Sequence, residues 1–178
     1  MTYYYLGWCL HQGGLSGVKQ AFADAVKACP DYCFPNRLEA ILALQCAMVQ
    51  NPDDARAPYY LGNLYYDKRQ YDLAMEAWET SARLDGSFPT VWRNLALAFF
   101  NKKNEEAKAI ECMERAFRLD TTDARILMEL DQLYKRVRRS HKERLAFLQQ
   151  YPELIKQRDD LILEEITLLN QTGEYEKA

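Results

Sequence analysis

"PYYLGNLYYDKRQYDLAMEAWETSARLDGS", residues 58–87, and "WRNLALAFFNKKNEEAKAIECMERAFRLDT", residues 92–121, carry apolar and small residues at matching positions when they are aligned. Gly62 of the first stretch corresponds to Ala96 of the second, and aromatic residues follow both at the same distance. Self-similarity at a fixed distance is the signature of a repeat architecture. The two stretches therefore decide the fold class.

Two further copies continue the register towards the end of the chain. The positions equivalent to Gly62 are Ala96, Asp131 and Ile166, at spacings of 34, 35 and 35 residues. Apolar residues recur at helical spacing in each copy, and small residues allow two antiparallel helices to approach closely. Asp131 and Ile166 replace the small residue, so we expect less regular packing there.

The repeat resembles the tetratricopeptide pattern, W-x2-L-G-x2-Y followed by A-x3-F. This resemblance implies an all-α fold, a right-handed superhelix or solenoid of antiparallel helix pairs. We expect a single array in which a linker with an extra helix forms the second unit, a truncated repeat forms the last, and the chain is a fragment of a longer protein. The predicted units are residues 1–28, 29–54, 55–88, 89–123, 124–158 and 159–178.

The segment "ACPDYCFPNRLEA", residues 28–40, lies in an interval that is 21 residues longer than one 34-residue repeat. Pro30 and Pro35 exclude a regular helix there, because proline lacks the N–H donor and clashes with the preceding turn. Asn36 followed by Glu39 predicts the N-terminal cap of the next helix. The segment is therefore predicted to be a linker that replaces a first helix.

Two of the five cysteines, Cys29 and Cys33, lie in this linker and raise the question of a metal or redox site. A structural zinc site uses four Cys or His ligands, and the only histidines, His11 and His141, lie elsewhere without a second pair. We therefore expect no metal and no cofactor. An odd cysteine count without a framework favours small buried residues in a reducing, cytoplasmic compartment.

Composition narrows the classes of partner. The net charge of -3 argues against nucleic acid as the main partner, because phosphate binding needs clustered positive charge. No apolar run approaches the length of a membrane-spanning helix, so we expect no membrane partner.

Several stretches, among them "PDYCFPNRLEAI", "TVWRNLALAFFNK" and "LLNQTGEYEKA", resemble the repeat region of a family of large bacterial proteins. In that family a tetratricopeptide array follows an N-terminal β-rich domain similar to sugar-mutarotase β-sandwiches. The resemblance implies an interaction scaffold without catalytic residues of its own. The alternative is a structural arm that packs on a carbohydrate-related domain of the same polypeptide.

The concave face of such an array is lined mostly by residues of the first helix of each pair. Amides there suit the backbone of an extended peptide, arginines suit carboxylates and aromatic rings suit side chains. The alternative is that these polar residues only solvate the groove. The predicted face consists of Arg56, Tyr59, Asn63, Tyr66, Arg93, Asn94, Leu97, Phe100, Arg125, Met128 and Gln132.

Some tetratricopeptide proteins hold a C-terminal carboxylate with lysines, asparagines and an arginine spread over three repeats. Asn63 and Asn94 match the two asparagines, but Tyr59 and Glu129 stand where a lysine and the arginine are required. The departures argue against this clamp. Arg93 beside Asn94 still predicts an anion-tolerant patch.

The run "KRVRRSHKER", residues 135–144, contains six Lys or Arg residues and His141. Such a run suits phosphate or an acidic partner. We favour a solvated turn between helices, because the chain as a whole is acidic.

Catalytic motifs are absent from the sequence. It contains no Gly-rich phosphate loop, no G-x-S-x-G and no H-E-x-x-H. Acid pairs such as Glu105 with Glu106 are adjacent in sequence and would point apart on a helix. We therefore expect no enzyme activity in this chain.

The last copy lacks a second helix within the sequence, so its apolar residues should be partly exposed. We expect this exposure to cause self-association. The residues concerned are Leu161, Ile162, Ile166 and Leu169.

Overall fold

The described residues, 1–30 and 33–177, form helices and no strand in this computed structural model. A π-helical turn, Phe99–Lys103, extends α6, and a 3-10 turn, Tyr175–Lys177, follows α11. This agrees with the all-α prediction. The helices are α1 (Thr2–Gln12), α2 (Val18–Lys27), α3 (Glu39–Gln50), α4 (Arg56–Asp67), α5 (Tyr71–Leu84), α6 (Pro89–Ala98), α7 (Glu106–Leu119), α8 (Ala124–Arg136), α9 (His141–Leu148), α10 (Pro152–Ile155) and α11 (Asp159–Thr172).

The chain divides into two compact units, Met1–Val91 and Trp92–Ala178. In the first unit α1 packs on α2 and α4 packs on α5, while α3 lies against α1 and α4. In the second unit α7 contacts α8, and α9 contacts α11. The six repeat units predicted from the sequence stay a prediction.

In the unit Met1–Val91, glycine allows the two helices of a pair to approach each other closely. A Cβ atom at Gly62 would lie 2.5 Å from the Trp78 indole and 3.0 Å from the backbone oxygen of Ala74. A Cβ atom at Gly7 would lie 2.6 Å from the Phe22 ring. Real Cβ atoms do not come so close, so the helix spacing depends on the missing side chain.

The turn between the helices of each pair also repeats. Arg69, Asn104, Arg138 and Gly173 all have a left-handed backbone, with φ between 56° and 84°. They are 35, 34 and 35 residues apart in the sequence. A non-glycine residue adopts this conformation at a cost, so its recurrence shows that each turn needs the same geometry.

The linker before α3 differs from the prediction in one respect. Helix α3 begins at Glu39 after Leu38, and no side chain caps it. The prediction that Asn36 caps this helix is wrong: Asn36 is exposed. A backbone hydrogen bond from the N–H of Ala40 to the carbonyl oxygen of Arg37 (N···O 3.1 Å) forms the turn that opens the helix. The described part of the linker, residues 28–30 and 33–38, is not helical, and its residues 31 and 32 lie outside the described residues.

A buried carboxylate, Asp54, joins α1 to the start of α4. Asp54 accepts hydrogen bonds from the Tyr4 hydroxyl at 2.9 Å and from the backbone N–H of Arg56 at 2.8 Å. Burial raises the pKa of Asp54 above its ordinary value, although these donors oppose the shift. Arg56 Nη1 in turn donates to the backbone oxygen of Ala28 at 2.6 Å. The first residue of the predicted binding face thus has a structural role at the linker.

The cysteines are less buried than expected. Only Cys112 is buried, whereas Cys33 and Cys46 are half-buried. Cys9 and Cys29 are exposed, so the expectation of buried cysteines is wrong for these two. Both lie on the solvent side of their segments rather than in the helix contacts.

The end of the second unit is better covered than the sequence predicted. Leu161 is fully buried and Leu169 is 4% exposed, because α11 packs on α9 and α10. Ile162 and Ile166 are half-buried, as expected. Self-association through this end stays a prediction, and the exposed apolar residue on α11 is Leu163. Ala178, the last residue of the predicted truncated repeat, lies outside the described residues.

We predict that Gly62→Ala destabilises the chain by about 1–3 kcal/mol, because the added methyl group overpacks the contact with Trp78. Alanine favours helix by up to about 1 kcal/mol over glycine, so the measured loss falls in the lower part of that range. Urea denaturation measures the change.

Gly13→Ala is the matched control, because a Cβ atom there meets its nearest neighbours at an ordinary 3.4 Å. If Gly62→Ala were as well tolerated as Gly13→Ala, the close helix approach would not limit stability.

Candidate functional site

The predicted face of α4 consists of four half-buried residues, Arg56, Tyr59, Asn63 and Tyr66, at helical spacing. The Tyr59 ring packs against Phe88 with centroids 4.7 Å apart. These side chains therefore lie on one helix and keep part of their surface open to solvent.

Asn63 and Tyr66 both contact the second helix of their pair. The Asn63 side-chain oxygen accepts a hydrogen bond from Trp78 Nε1 at 3.0 Å. The Tyr66 ring lies 5.3 Å from the Trp78 ring and 5.1 Å from the Tyr71 ring. A ligand on this face would meet residues that are already positioned by the α4–α5 contact.

In the second unit two predicted face residues bond to acidic side chains of the next first helix. Arg93 of α6 forms a two-pronged ion pair with Glu129 of α8, with Nε 2.6 Å from the nearer oxygen. Gln132 of α8 donates to Glu164 of α11 at 3.5 Å. The structure thus brings Arg93 and Gln132 into contact with adjacent first helices.

The ion pair corrects the expectation of an anion-tolerant patch at Arg93. Two of its donors are occupied by Glu129, the residue that stands where the carboxylate clamp requires an arginine. An incoming carboxylate would have to replace Glu129. The sequence pattern indicated Arg93 and Glu129 separately but did not predict that they pair.

The other predicted residues of this unit differ in exposure. Arg125 is exposed and lies 3.7 Å from Asp123 at the start of α8. The Phe100 ring lies under the Arg136 guanidinium at 5.4 Å. The half-buried members are Asn94, Leu97, Phe100, Met128 and Gln132.

The most buried charges of the second unit form a network that sequence reasoning missed. Arg144 of α9 is 2% exposed and donates to both oxygens of Asp131, at 3.0 and 2.6 Å. It also donates to Glu164 at 2.7 Å, and Lys135 donates to the same carboxylate at 2.9 Å. Two cations and two carboxylates therefore satisfy one another between α8, α9 and α11.

The pKa shifts of Arg144 and Glu164 favour the charged forms that make the ion pairs, whereas the pKa shift of Asp131 opposes its charged form. Burial alone would lower the pKa of Arg144, but its bonds to Asp131 and Glu164 outweigh burial and raise it. Burial would likewise raise the pKa of Glu164, but the bonds from Arg144 and Lys135 hold it below its ordinary value. Burial raises the pKa of Asp131, and Arg144 opposes that shift. The cation is thus fixed in its charged form.

A sequence signal for this network was present in the repeat. Asp131 stands where Gly62 and Ala96 stand in the preceding repeats, and Arg144 stands 35 residues after Ala109, the small residue of the second helix. The two small residues that face each other in the preceding helix pairs are therefore both replaced here, one by an acid and the other by a base. Two substitutions of opposite charge at contacting positions predict a salt bridge, whereas each alone predicts only poorer packing.

The order of helix pairs and the recurring turn agree with the comparisons to known proteins. The sequence model of the TPR repeat matches residues 62–103. YrrB, described as a TPR protein with an unusual peptide-binding site, is 16% identical and superposes with a TM-score of 0.63, covering 99% of this chain and 79% of its own. The fold is of the tetratricopeptide type.

Two other solved structures superpose on this chain at low sequence identity. Pseudomonas aeruginosa pilF is 18% identical, with a TM-score of 0.58 over 99% of this chain and 85% of its own. The TPR domain of Arabidopsis OM64 is 20% identical, with a TM-score of 0.54 over 66% of this chain and 95% of its own.

The part of the chain that the structure describes contains neither a cluster of metal-binding side chains nor a helix that could span a membrane. Within residues 1–30 and 33–177 no three His, Cys, Asp or Glu side chains are grouped to hold a metal ion. No helix of the described chain has the length and apolar character needed to cross a membrane.

We predict that Arg144→Met destabilises the chain by about 3–5 kcal/mol, because it leaves the Asp131 carboxylate buried without its partner. Adding Asp131→Ala should recover most of this loss, since a buried pair can be replaced by apolar residues of similar size. Urea denaturation of both variants measures the effect.

Lys156→Met is the control, because it breaks an exposed ion pair with Glu153 and should leave stability close to that of the parent chain. A double variant that is less stable than Arg144→Met would contradict the pairing of Asp131 with Arg144.

Proposed function

We propose that the chain is a cytoplasmic, non-catalytic scaffold that binds a peptide or a partner protein on the first-helix faces of its tetratricopeptide pairs. The observation that carries this proposal is the repeated placement of half-exposed amide, aromatic and arginine side chains on α4, α6 and α8. These residue types recognise peptide backbones and side chains without performing chemistry.

The aromatic residues of α4 suit the apolar side chains of a ligand. Tyr59 and Tyr66 are held by ring contacts to Phe88 and Trp78, so little side-chain entropy is lost when a ligand packs on them. Tyrosine also offers a hydroxyl group beside an apolar ring, which is why it is common in binding surfaces.

The charge on the second unit's face supports recognition of an internal peptide segment rather than a chain terminus. Arg93 is neutralised by Glu129, and the exposed arginine of this face is Arg125 at the start of α8. A clamp for a terminal carboxylate needs several converging cations. The described face instead alternates cations, amides and an acid.

The likeness to YrrB, which is described as having an unusual peptide-binding site, supports a peptide ligand for this chain. The alternative function, an arm that packs on a carbohydrate-related domain of the same polypeptide, predicts that the isolated chain selects no peptide.

The test is selection of a random peptide library on the chain, followed by affinity measurements with one fluorescently labelled selected peptide. Arg125→Glu should weaken binding about tenfold or more, because it reverses an exposed charge on the proposed face. Asn63 and Arg93 are poorer choices for mutation, since both have internal partners and their loss would also lower stability.

Arg118→Glu is the matched control, since Arg118 is also exposed but lies on α7, a second helix. Affinity that is lost equally in both variants, or in neither, would place the peptide elsewhere. A library that yields no specific peptide would contradict peptide binding and favour the structural arm.

A further inference from the structure

A concavity of about 430 Å³ lies between the α8–α9 turn and the C-terminal half of α11. Five of its seven lining residues are cations or histidine, and none is an acid. The α8–α9 turn and α11 both belong to the second unit, so the concavity lies within one compact unit. The lining residues are Lys135, Arg138, Arg139, Ser140, His141, Arg144 and Gln171.

The floor of the concavity includes a buried guanidinium with an unused nitrogen. Arg144 is 2% exposed, and its hydrogen bonds to Asp131 and Glu164 use only Nε and Nη2. Among the described residues no buried side-chain nitrogen lacks a partner, so Nη1 is not sealed within the protein. Nη1 therefore keeps some contact with solvent, and Arg144 is one of the residues that line the concavity.

The cations around Arg144 are held in place by contacts outside the concavity. Lys135 donates to Glu164 at 2.9 and 3.0 Å, and the Arg139 guanidinium lies 3.7 Å from the centre of the Tyr134 ring. Arg139 also reaches Glu114 at 3.3 Å. These positive groups are pre-positioned, so a ligand would not have to order them.

Arg138 contributes the charge that remains available. It is exposed at the left-handed position of the turn, with φ 61°, and no ion pair within the described residues engages it. His141, which is also exposed and lines the concavity, has no ion pair there either. The Ser140 hydroxyl and the Glu143 carboxylate are occupied by capping α9. The concavity thus combines an exposed arginine without an ion pair and one guanidinium nitrogen of Arg144, Nη1, that has no internal partner.

We propose that this concavity binds an oxyanion, a carboxylate or phosphate group, presented by an acidic segment of a protein partner. The Nη1 amino group of Arg144 and the Arg138 guanidinium offer N–H donors to the oxygens of either group. The inference rests on the proposed scaffold function in so far as the oxyanion is carried by a protein, but it uses a surface separate from the face that contains Arg125. It also revises the expectation that residues 135–144 are only a solvated turn, since Arg144 is buried.

The experiment measures fluorescence anisotropy with three labelled peptides that differ only at their central residues: Glu-rich, phosphoserine-containing and Gln-rich. The chain should bind both anionic peptides and bind the Gln-rich peptide at least about fivefold more weakly. Competition by inorganic phosphate, together with tighter binding of the phosphopeptide, would assign the site to phosphate. Tighter binding of the Glu-rich peptide would assign it to carboxylate.

Arg138→Gln should weaken binding of the anionic peptides about fivefold, and the loss should shrink in 1 M salt, where charges are screened beyond about 3 Å. Two variants serve as controls for the change in net charge. Arg69→Gln removes the same side chain from the same left-handed turn position, with φ 60°, of the α4–α5 turn. Lys142→Gln removes a cation of the same basic run that does not line the concavity.

If Arg138→Gln and either control variant lost the same amount of affinity for the anionic peptides, the site would be overturned. Binding would then depend only on the total charge of the protein. Equal binding of the Gln-rich peptide, or tighter binding of a single-stranded RNA or an anionic vesicle than of the peptides, would overturn the assignment to an acidic protein segment. Arg125→Glu separates the two proposals: it should weaken the library-selected peptide and leave the Arg138-dependent binding in place.

Discussion

The structure depends on the close approach of the first and second helix of each pair. In the first unit glycine permits this approach, since a Cβ atom at Gly7 or Gly62 would overlap the ring of Phe22 or Trp78. In the second unit Ala96 is fully buried at the equivalent position, and Asp131 follows it in the next pair with a salt bridge to Arg144. The two helices of a pair thus meet either at a small residue or at a buried charge that forms a salt bridge.

The sequence predicted the all-α tetratricopeptide fold because this contact leaves a periodic trace. Small residues and aromatic rings recur every 34 or 35 residues, and the left-handed turn residues recur with them. The ends of the segments were predicted less well. Asn36 followed by Glu39 matches the sequence pattern of a helix N-cap, but a backbone turn at Arg37 opens α3 instead. The burial of Leu161 depends on packing between helices that no local pattern records.

The candidate sites could be predicted only in part for the same reason. Periodicity places Tyr59, Asn63 and Arg93 on first helices, but it does not reveal which side chains bond to each other. Arg93 pairs with Glu129 and Arg144 pairs with Asp131, and both pairs join residues from different helices. A single sequence lists such charges without assigning partners. The surface charge that remains for a ligand is therefore smaller, and more localised, than composition indicates.

The pairing of Asp131 with Arg144 takes the place of the small-residue contact in the second unit, and NMR tests this pairing directly. The rate at which the Arg144 Nε proton exchanges with water should be much lower than that of Arg118 or Arg125, because Nε donates to Asp131 at 3.0 Å within a buried network. Exchange as fast as that of these two exposed arginines would contradict the buried pair.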